Sequence, residues 1–375
     1  MRIMAINNTV MFEKDGGFYV YKETGRFFEE LLDHADVVDV FQISMPLKRE
    51  NTFANYCISN KGLRITNVRR GKNRYWAYFR ALFKGISAVF KADFVYLFYP
   101  GPICAVFACI CIVLRKDYGI YVRGEQGISS KLSRFLYSKA GLVFTISPKF
   151  TDLIREIQKE THTIRPMVDI TESDFNWERN YESKSFFHIL YVGRIVRDKG
   201  LFELVESIKM VEQIKRYNFV VHLVGNGPDL SEIQKVVFEA GLERNFIFHG
   251  MVSSKEELKM QFKMADIFVL PSHHEGFPRV IYEAMAYGTP IITTFVGTIP
   301  YLMKDKINCY RIQEMNPVDL AGKLLDLMDD YGTKAAVARQ ALIDLEAYLI
   351  DKQDKHAIQL VKTIKAKDDK SDTKY

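Results

Sequence analysis

SHHEGFPRVIYEAMAYGTPIITT, residues Ser272 to Thr294, is the stretch on which the reading of the fold turns. Pro278 suits the first turn of a helix, where its missing N–H costs nothing. Gly288 suits the end, so the spacing predicts a helix from Pro278 to Tyr287, followed by a strand from Pro290 to Thr293. Glu275 then lies in the loop before the helix, with Glu283 roughly 7 Å along the axis at about 1.5 Å per residue. Between them, the backbone N–H groups of Phe277 and Arg279 and the positive helix end make a site for an anion. An anion flanked by two hydroxyl-binding carboxylates describes a nucleotide sugar. Taken alone, the stretch also reads as an ordinary buried helix with surface glutamates.

Outward from this stretch the second half of the chain alternates strand and helix. Strands are expected at His188–Val192, Phe219–Val224, Phe246–His249 and Ile267–Leu270, and helices at Leu201–Ile214, Asp229–Ala240 and Lys255–Lys263. Such alternation implies a parallel sheet covered on both faces, with a ligand at the carboxyl ends of the strands. GRIVRDKG follows the first of these strands, so Arg194 and Lys199 could both reach a diphosphate held at Pro278, with Gly193 beside them. Two cations can offset the charge that develops on a departing nucleoside diphosphate. No DxD pair is placed to hold a divalent metal, so none is expected. Gly225-Asn226-Gly227-Pro228 allows close approach of backbone to a ligand, although a plain turn would look the same. Gly250, Met251 and Val252 could offer backbone groups to a base. His273 and His274 lack a third ligand spaced to complete a metal site.

The first half alternates too. A strand at Arg2–Asn7, a loop ending in Asp15-Gly16-Gly17 and a helix from Phe18 to His34 resemble the opening of a nucleotide-binding fold, though two glycines also serve as a turn. Further strands are expected at Val37–Ser44, Leu63–Val68, Phe94–Phe98, Gly119–Val122 and Leu142–Thr145. Helices are expected at Asn73–Phe90, Gly101–Arg115, Ser129–Lys139 and Pro148–Lys159. A short strand-like piece at Thr161 gives way to polar residues by Asp174, and with the charged, non-periodic stretch Trp177 to Ser185 this marks the boundary. The chain of 375 residues therefore reads as two α/β domains, 1–170 and 171–345, with 346–375 forming a helix and a charged tail disordered from about Ile364.

The net charge of +6 is uneven: residues 1–170 hold 25 Lys and Arg against 16 Asp and Glu. The basic side chains are densest from Lys48 to Lys84, interleaved with Tyr75, Trp76, Tyr78, Phe79 and Phe83 and opposed only by Glu50, which suits anionic lipid headgroups better than nucleic acid, although a merely solvated basic face would read the same. The longest apolar run, Ile103–Leu114, is too short to span a bilayer, and MRIMAIN is too short for a signal peptide. The five cysteines form no metal-ligand spacing and read as buried, reduced thiols of a cytosolic protein.

The ordered series Gly193-Arg194 with Lys199-Gly200, Val224 to Pro228, Phe248-His249-Gly250, Ala265 to Ser272, Glu275 to Pro278 and Glu283 to Ala286 resembles the retaining GT-B glycosyltransferases of family 4. The resemblance covers about residues 188–330, with the N-terminal half contributing only Gly16-Gly17 and its alternating pattern. It implies two Rossmann-like doubly wound domains facing a central cleft. The C-terminal one would bind a nucleotide-activated sugar and the N-terminal one a saccharide or lipid-linked acceptor. Arg194 and Lys199 would lie on the diphosphate, Glu283 on the ribose and Glu275 at the sugar and phosphate. Gly16 and Gly17 would close over the phosphates or acceptor, and no metal cofactor is implied. The family's GGxPE loop is here Val296-Gly297-Thr298-Ile299-Pro300-Tyr301, where Thr298 could still donate to phosphate. Its N-domain histidine is absent, leaving Arg123 or Glu125 to act at the acceptor or sugar. The reading is a cytoplasmic sugar transferase of cell-surface polysaccharide synthesis, resting peripherally on the inner membrane face. The alternatives are an epimerase of the same architecture and a non-catalytic nucleotide-sugar sensor.

Overall fold

Runs of branched and aromatic residues, most of them followed by a helix, build two doubly wound units in the computed structural model. The structure describes residues 1–47, 54–59, 61–71, 74–124, 127–214, 217–252, 254–350 and 355–372. One unit is Met1–Asp169 with Asp351–Tyr375, and the other is Ile170–Ile350.

Unit 1 contains β1 (Arg2–Asn7), β2 (Met11–Lys14), β3 (Gly17–Val20), α1 (Lys22–Leu32), β4 (Val37–Pro46), β5 (Tyr56–Cys57), β6 (Arg64–Arg69), α2 (Arg74–Lys91) and β7 (Phe94–Tyr99). It continues with α3 (Pro102–Leu114), β8 (Tyr118–Val122), α4 (Lys131–Lys139), β9 (Leu142–Thr145), α5 (Pro148–Arg155) and β10 (Thr161–Thr163). The strands β6-β4-β1-β7-β8-β9-β10 run parallel in that order. Ile6, Phe41 and Leu97 are in register and share one face, where Phe107 of α3 meets Phe41 at 4.9 Å between ring centres. Tyr96 and Phe98 point to the other face and meet Phe27 of α1. Both faces are therefore buried.

Two expectations about secondary structure are corrected in this unit. Asp15 and Gly16 both have positive φ, 48° and 74°, and form the two-residue turn of the antiparallel hairpin β2–β3. Gly16-Gly17 thus closes a hairpin, and Phe18 to Val20 are strand; the helix begins only at Lys22. The charged tail is the second correction: residues His356–Asp372 form a helix. Ala357, Leu360, Val361 and Ile364, at i, i+3, i+4 and i+7, are all buried and anchor it beside α1. His356 is enclosed by the rings of Phe27, Tyr96, Tyr121 and Phe144, and its Nε2 shares a 2.5 Å hydrogen bond with the Tyr96 hydroxyl.

Unit 2 contains β11 (Phe186–Val192), α6 (Leu201–Ile214), β12 (Asn218–Val224), α7 (Leu230–Glu239), β13 (Phe246–Gly250), α8 (Lys255–Met264), β14 (Ile267–Leu270), α9 (Arg279–Ala286), β15 (Ile291–Thr294), α10 (Ile299–Leu302) and β16 (Tyr310–Ile312). Three helices close it, α11 (Pro317–Asp329), α12 (Tyr331–Lys334) and α13 (Val337–Ile350), and the last helix of unit 1, His356–Asp372, is α14. All six strands are parallel, in the order β13-β12-β11-β14-β15-β16. Two successive strands build outward on one side of β11, and three on the other, so the order reverses between β11 and β14.

The thiols of Cys104, Cys111 and Cys309 are buried and pushed up to about 12 by that burial. Cys57 is half-buried and Cys109 exposed, against the expectation that the thiols are interior, because Cys109 sits on the outward face of α3. None of the helices in the described residues is long and apolar enough to cross a membrane.

Each unit holds a buried histidine kept neutral. Burial, helped by the charge of Arg123, brings His356 down to about 3; burial and the neighbouring His188 and His249 bring His222 to about 4. In the unfolded chain both titrate near 6.5. Their contribution to stability is whole above that value and is lost as pH falls towards 4 and 3, because the unfolded chain takes the protons first. Thermal melts should therefore drop steadily from pH 7.5 to 5, and His356→Gln and His222→Gln should each shallow the slope. A slope unchanged in both variants would refute this account.

Candidate active site

The reversal of strand order sets the loop after β11, Gly193 to Gly200, beside the loop after β14, Pro271 to Pro278, at the carboxyl ends of the strands. Close backbone packing lets three segments meet there. The Gly193 N–H donates to the Val224 carbonyl at 3.0 Å, and the Ile195 N–H donates to the Asn226 carbonyl at 3.0 Å. Side chains are excluded at the contact: a Cβ on Gly225 would lie 1.8 Å from the Gly193 carbonyl oxygen, and one on Gly227 would lie 2.0 Å from that of Ile195. Asn226 is exposed at the tip, its Oδ1 accepting from the Gly227 N–H. Beside it, Gly250 at the end of β13 accepts from the Gly225 N–H at 2.8 Å, and Val252 follows half-buried.

Lys199 ends a short 3-10 turn, and Gly200 follows with φ 69° against the Pro271 carbonyl, where any Cβ would collide. That turn aims the lysine at the neighbouring loop. Its Nζ lies 2.8 Å from Glu275 Oε1 and 3.0 Å from the His274 carbonyl, and both side chains of the pair are about nine-tenths buried. Ser272 donates to the same Glu275 oxygen at 2.7 Å. The two charges therefore meet each other, with a hydroxyl completing the shell, which is the condition for tolerating buried ions. Lys199 and Glu275 are joined directly, an arrangement that spacing alone did not reveal. The carboxylate also acts on its surroundings: burial first, then the negative charges of Glu275 and Asp198, raise the Tyr191 phenol far above its ordinary range. Tyr191 donates to the Arg194 carbonyl at 2.8 Å, fixing the backbone there while the Arg194 side chain stays exposed.

Helix α9 starts one residue later than expected, with Pro278 as its N-cap, and Gly288 ends it at φ 61°. Among the described residues, the backbone N–H groups of Gly276 and Phe277 meet no acceptor. Arg279 is exposed at the first turn, and Glu283 is half-buried one turn on. Gly297 passes so close to the loop that a Cβ would sit 1.6 Å from the Glu275 carbonyl oxygen, and its φ is 60°. Thr298 is buried and donates its hydroxyl to the Gly276 carbonyl at 2.7 Å. That proton is committed to the loop, where the sequence had suggested donation to phosphate. Ser272 and Tyr191 were missed as site residues; a serine three positions before a glutamate in a loop was the available signal for the first.

In unit 1, Arg123 follows β8, donates to Asn7 Oδ1 at 3.0 Å and lies over the Phe98 ring at 5.2 Å. Gly16 and Gly17 sit in the hairpin described above. Glu125 lies outside the described residues.

The family model for glycosyl transferases group 1 matches residues 173–342. An uncharacterized glycosyltransferase of Methanocaldococcus jannaschii, MJ1178, is 30% identical over 265 residues, covering 66% of this chain and 72% of that protein. The chain belongs to the group 1 glycosyl transferases. Another relative of these transferases, the putative teichuronic acid biosynthesis glycosyltransferase TuaC of Bacillus subtilis, is 28% identical over 50% of this chain and 46% of its own length. The chain spans less than half the length of the first curated relatives it matches. Among solved structures, HepE of Anabaena in complex with UDP superposes with a TM-score of 0.70 at 15% identity, covering 99% of this chain and 100% of that one. The group 1 transferase fold here is thus GT-B, with two Rossmann-like domains.

The loop geometry makes a specific demand. Gly297→Ala should lower the melting temperature, costing about 1–3 kcal/mol through strain at a positive φ and collision with Glu275. Gly276→Ala, with nothing near its Cβ position, should change stability by less than about 0.5 kcal/mol. Equal effects in paired melts would refute the packing argument.

Proposed function

We propose that this chain transfers a sugar from a nucleoside diphosphate to a saccharide or lipid-linked saccharide with retention of configuration, without a metal, as a family 4 enzyme of cell-surface polysaccharide synthesis. The observation that carries the reading is the buried Lys199–Glu275 pair beside the start of α9, at the switch of strand order in unit 2. The relative named for teichuronic acid synthesis supports the polysaccharide assignment.

Each residue then has a task set by its position. The N–H groups of Gly276 and Phe277 and the start of α9 receive the diphosphate, which carries full negative charge. Arg194 and Lys199 offset the charge that grows on the leaving oxygen as the bond to the anomeric carbon breaks, the task a divalent metal has in other sites. Glu275 holds Lys199 in place and accepts a hydrogen bond from a sugar hydroxyl. Glu283 accepts from the ribose hydroxyls. Gly193 and the loops of Asn226 and Val252 border the base, and Thr298 braces the anion loop. Unit 1 takes the acceptor, with Arg123 and the hairpin at Gly16 and Gly17 as its contacts.

Because HepE of Anabaena was crystallised with UDP-glucose, uridine diphosphate sugars are the first donors to test. With EDTA present, the protein should bind one nucleoside diphosphate selectively and release it from the donor sugar when acceptor is supplied. Lys199→Ala should weaken that binding and cut turnover about 100-fold, and Glu275→Ala should cut turnover comparably. Unchanged kinetics in both would remove the pair from the chemistry. A sugar altered without acceptor would indicate an epimerase, and binding without any turnover a sensor.

A further inference from the structure

Helix α2 is inverted relative to an ordinary surface helix. Its inward ridge is Ala77, Ala81, Gly85 and Val89, four positions at i+4 spacing, all buried. Gly85 is required there, since a Cβ would lie 2.1 Å from the Phe107 ring of α3. The bulky aromatic residues face outward instead: Trp76 is 63% exposed, Phe79 50%, Phe83 66% and Phe90 57%. Trp76, Phe79 and Phe83 stack edge to face along the helix, with ring centres 5.7 and 5.0 Å apart. Residues 76, 79, 83 and 90 fall on one side of a 3.6-residue repeat, so they form a continuous stripe. Leaving such a stripe in water forgoes most of the free energy its burial would release.

The stripe continues into the neighbouring helices. Helix α3 packs between α2 and α4, and the three enclose an open groove of about 420 Å³. Ile86, Val106, Cys109, Ile110, Val113 and Leu132 line it, without a charged side chain. Val113 is 80% exposed, and Phe135 of α4 is also exposed. The charge is one-sided: the three helices carry seven Lys or Arg and no Asp or Glu. Arg80, Lys84 and Lys91 repeat at i, i+4 and i+11 and flank the aromatic stripe, while Lys131 and Arg134 are exposed on α4. Lys48, Arg49, Glu50 and Lys72 of the basic stretch lie outside the described residues.

We propose that the outer face of α2, α3 and α4 docks on an anionic lipid bilayer. The aromatic stripe enters the interface between headgroups and acyl chains, the groove receives part of an acyl chain, and Arg80, Lys84, Lys91, Lys131 and Arg134 meet lipid phosphates. Charge selects this occupant. A second copy of the same face would bring cations against cations, whereas an anionic bilayer supplies both the apolar phase and the opposite charge. The surface lies in unit 1 and involves none of the donor-site residues of unit 2, so the two readings stand or fall separately.

The test uses the full chain with Trp177→Phe, leaving Trp76 as the one remaining tryptophan. It should sediment with vesicles of phosphatidylcholine and phosphatidylglycerol, weakly with phosphatidylcholine alone, and less at high salt. Trp76 emission should shift to shorter wavelength on binding. Phe79→Ser with Phe83→Ser should weaken partitioning by about tenfold or more, with melting temperature and nucleoside diphosphate binding preserved. Failure to sediment with anionic vesicles, or partitioning unaffected by the double substitution, would overturn the proposal. So would a dimer that this substitution disperses, which would assign the face to a second copy.

Discussion

The ion pair between Lys199 and Glu275 is the constraint around which unit 2 is arranged. A buried carboxylate and ammonium are each costly to remove from water, and they are stable only when they meet with their remaining hydrogen bonds satisfied. Meeting requires two loops that are far apart in sequence to open side by side. The strand order provides this: β11 and β14 are neighbours in the sheet, although two strands and three helices intervene in the chain. The glycines follow from the same demand. Gly200, Gly225, Gly227 and Gly297 each pass where a side chain would strike a backbone carbonyl. The site is therefore held chiefly by main-chain packing, and side chains are reserved for charge.

The pair also explains why Ser272 and Thr298 are buried polar residues near a charged site. Ser272 completes the coordination of the Glu275 carboxylate, and Thr298 fixes the carbonyl of the next residue. Both hold the loop that opens α9. A loop whose carbonyls are occupied from behind can turn its N–H groups outward, the arrangement an anion needs. The proposed anion contact and its support thus lie on opposite faces of one short segment.

Much of unit 2 was legible because its signals are local. Apolar runs of five to seven residues, a proline at a helix start and glycines at helix ends follow from short-range sterics, and they located α9 to within one residue at each end. The partner of Lys199 was not legible, because the contact spans 76 residues and depends on strand order, to which hydrophobic pattern is blind. The hairpin at Gly16-Gly17 was misread for a different reason. A strand, a glycine pair and a helix fit both a phosphate loop and a turn, and only the positive φ at Asp15 as well as Gly16 separates them. The tail was misjudged because its charged residues dominate its composition, while four apolar residues on one face are enough to anchor it.

Unit 1 shows what pattern reading conceals even when the element is placed correctly. The sequence from Arg74 to Lys91 has helical periodicity whichever side faces the core, since the period fixes the existence of a face but not its direction. Here small residues face inward because α3 lies close, and the Phe107 ring fills the space that a side chain at Gly85 would need. Close packing therefore expels the large aromatic residues, and the apolar surface that they carry must be covered by something outside the unit or remain in water. Acidic side chains at the solvent face would have kept such a helix soluble at little cost, and α2, α3 and α4 contain none. Apolar exposure and charge of a single sign arise independently, yet they fall on the same three helices. An anionic lipid bilayer, the occupant proposed for this face, would satisfy both.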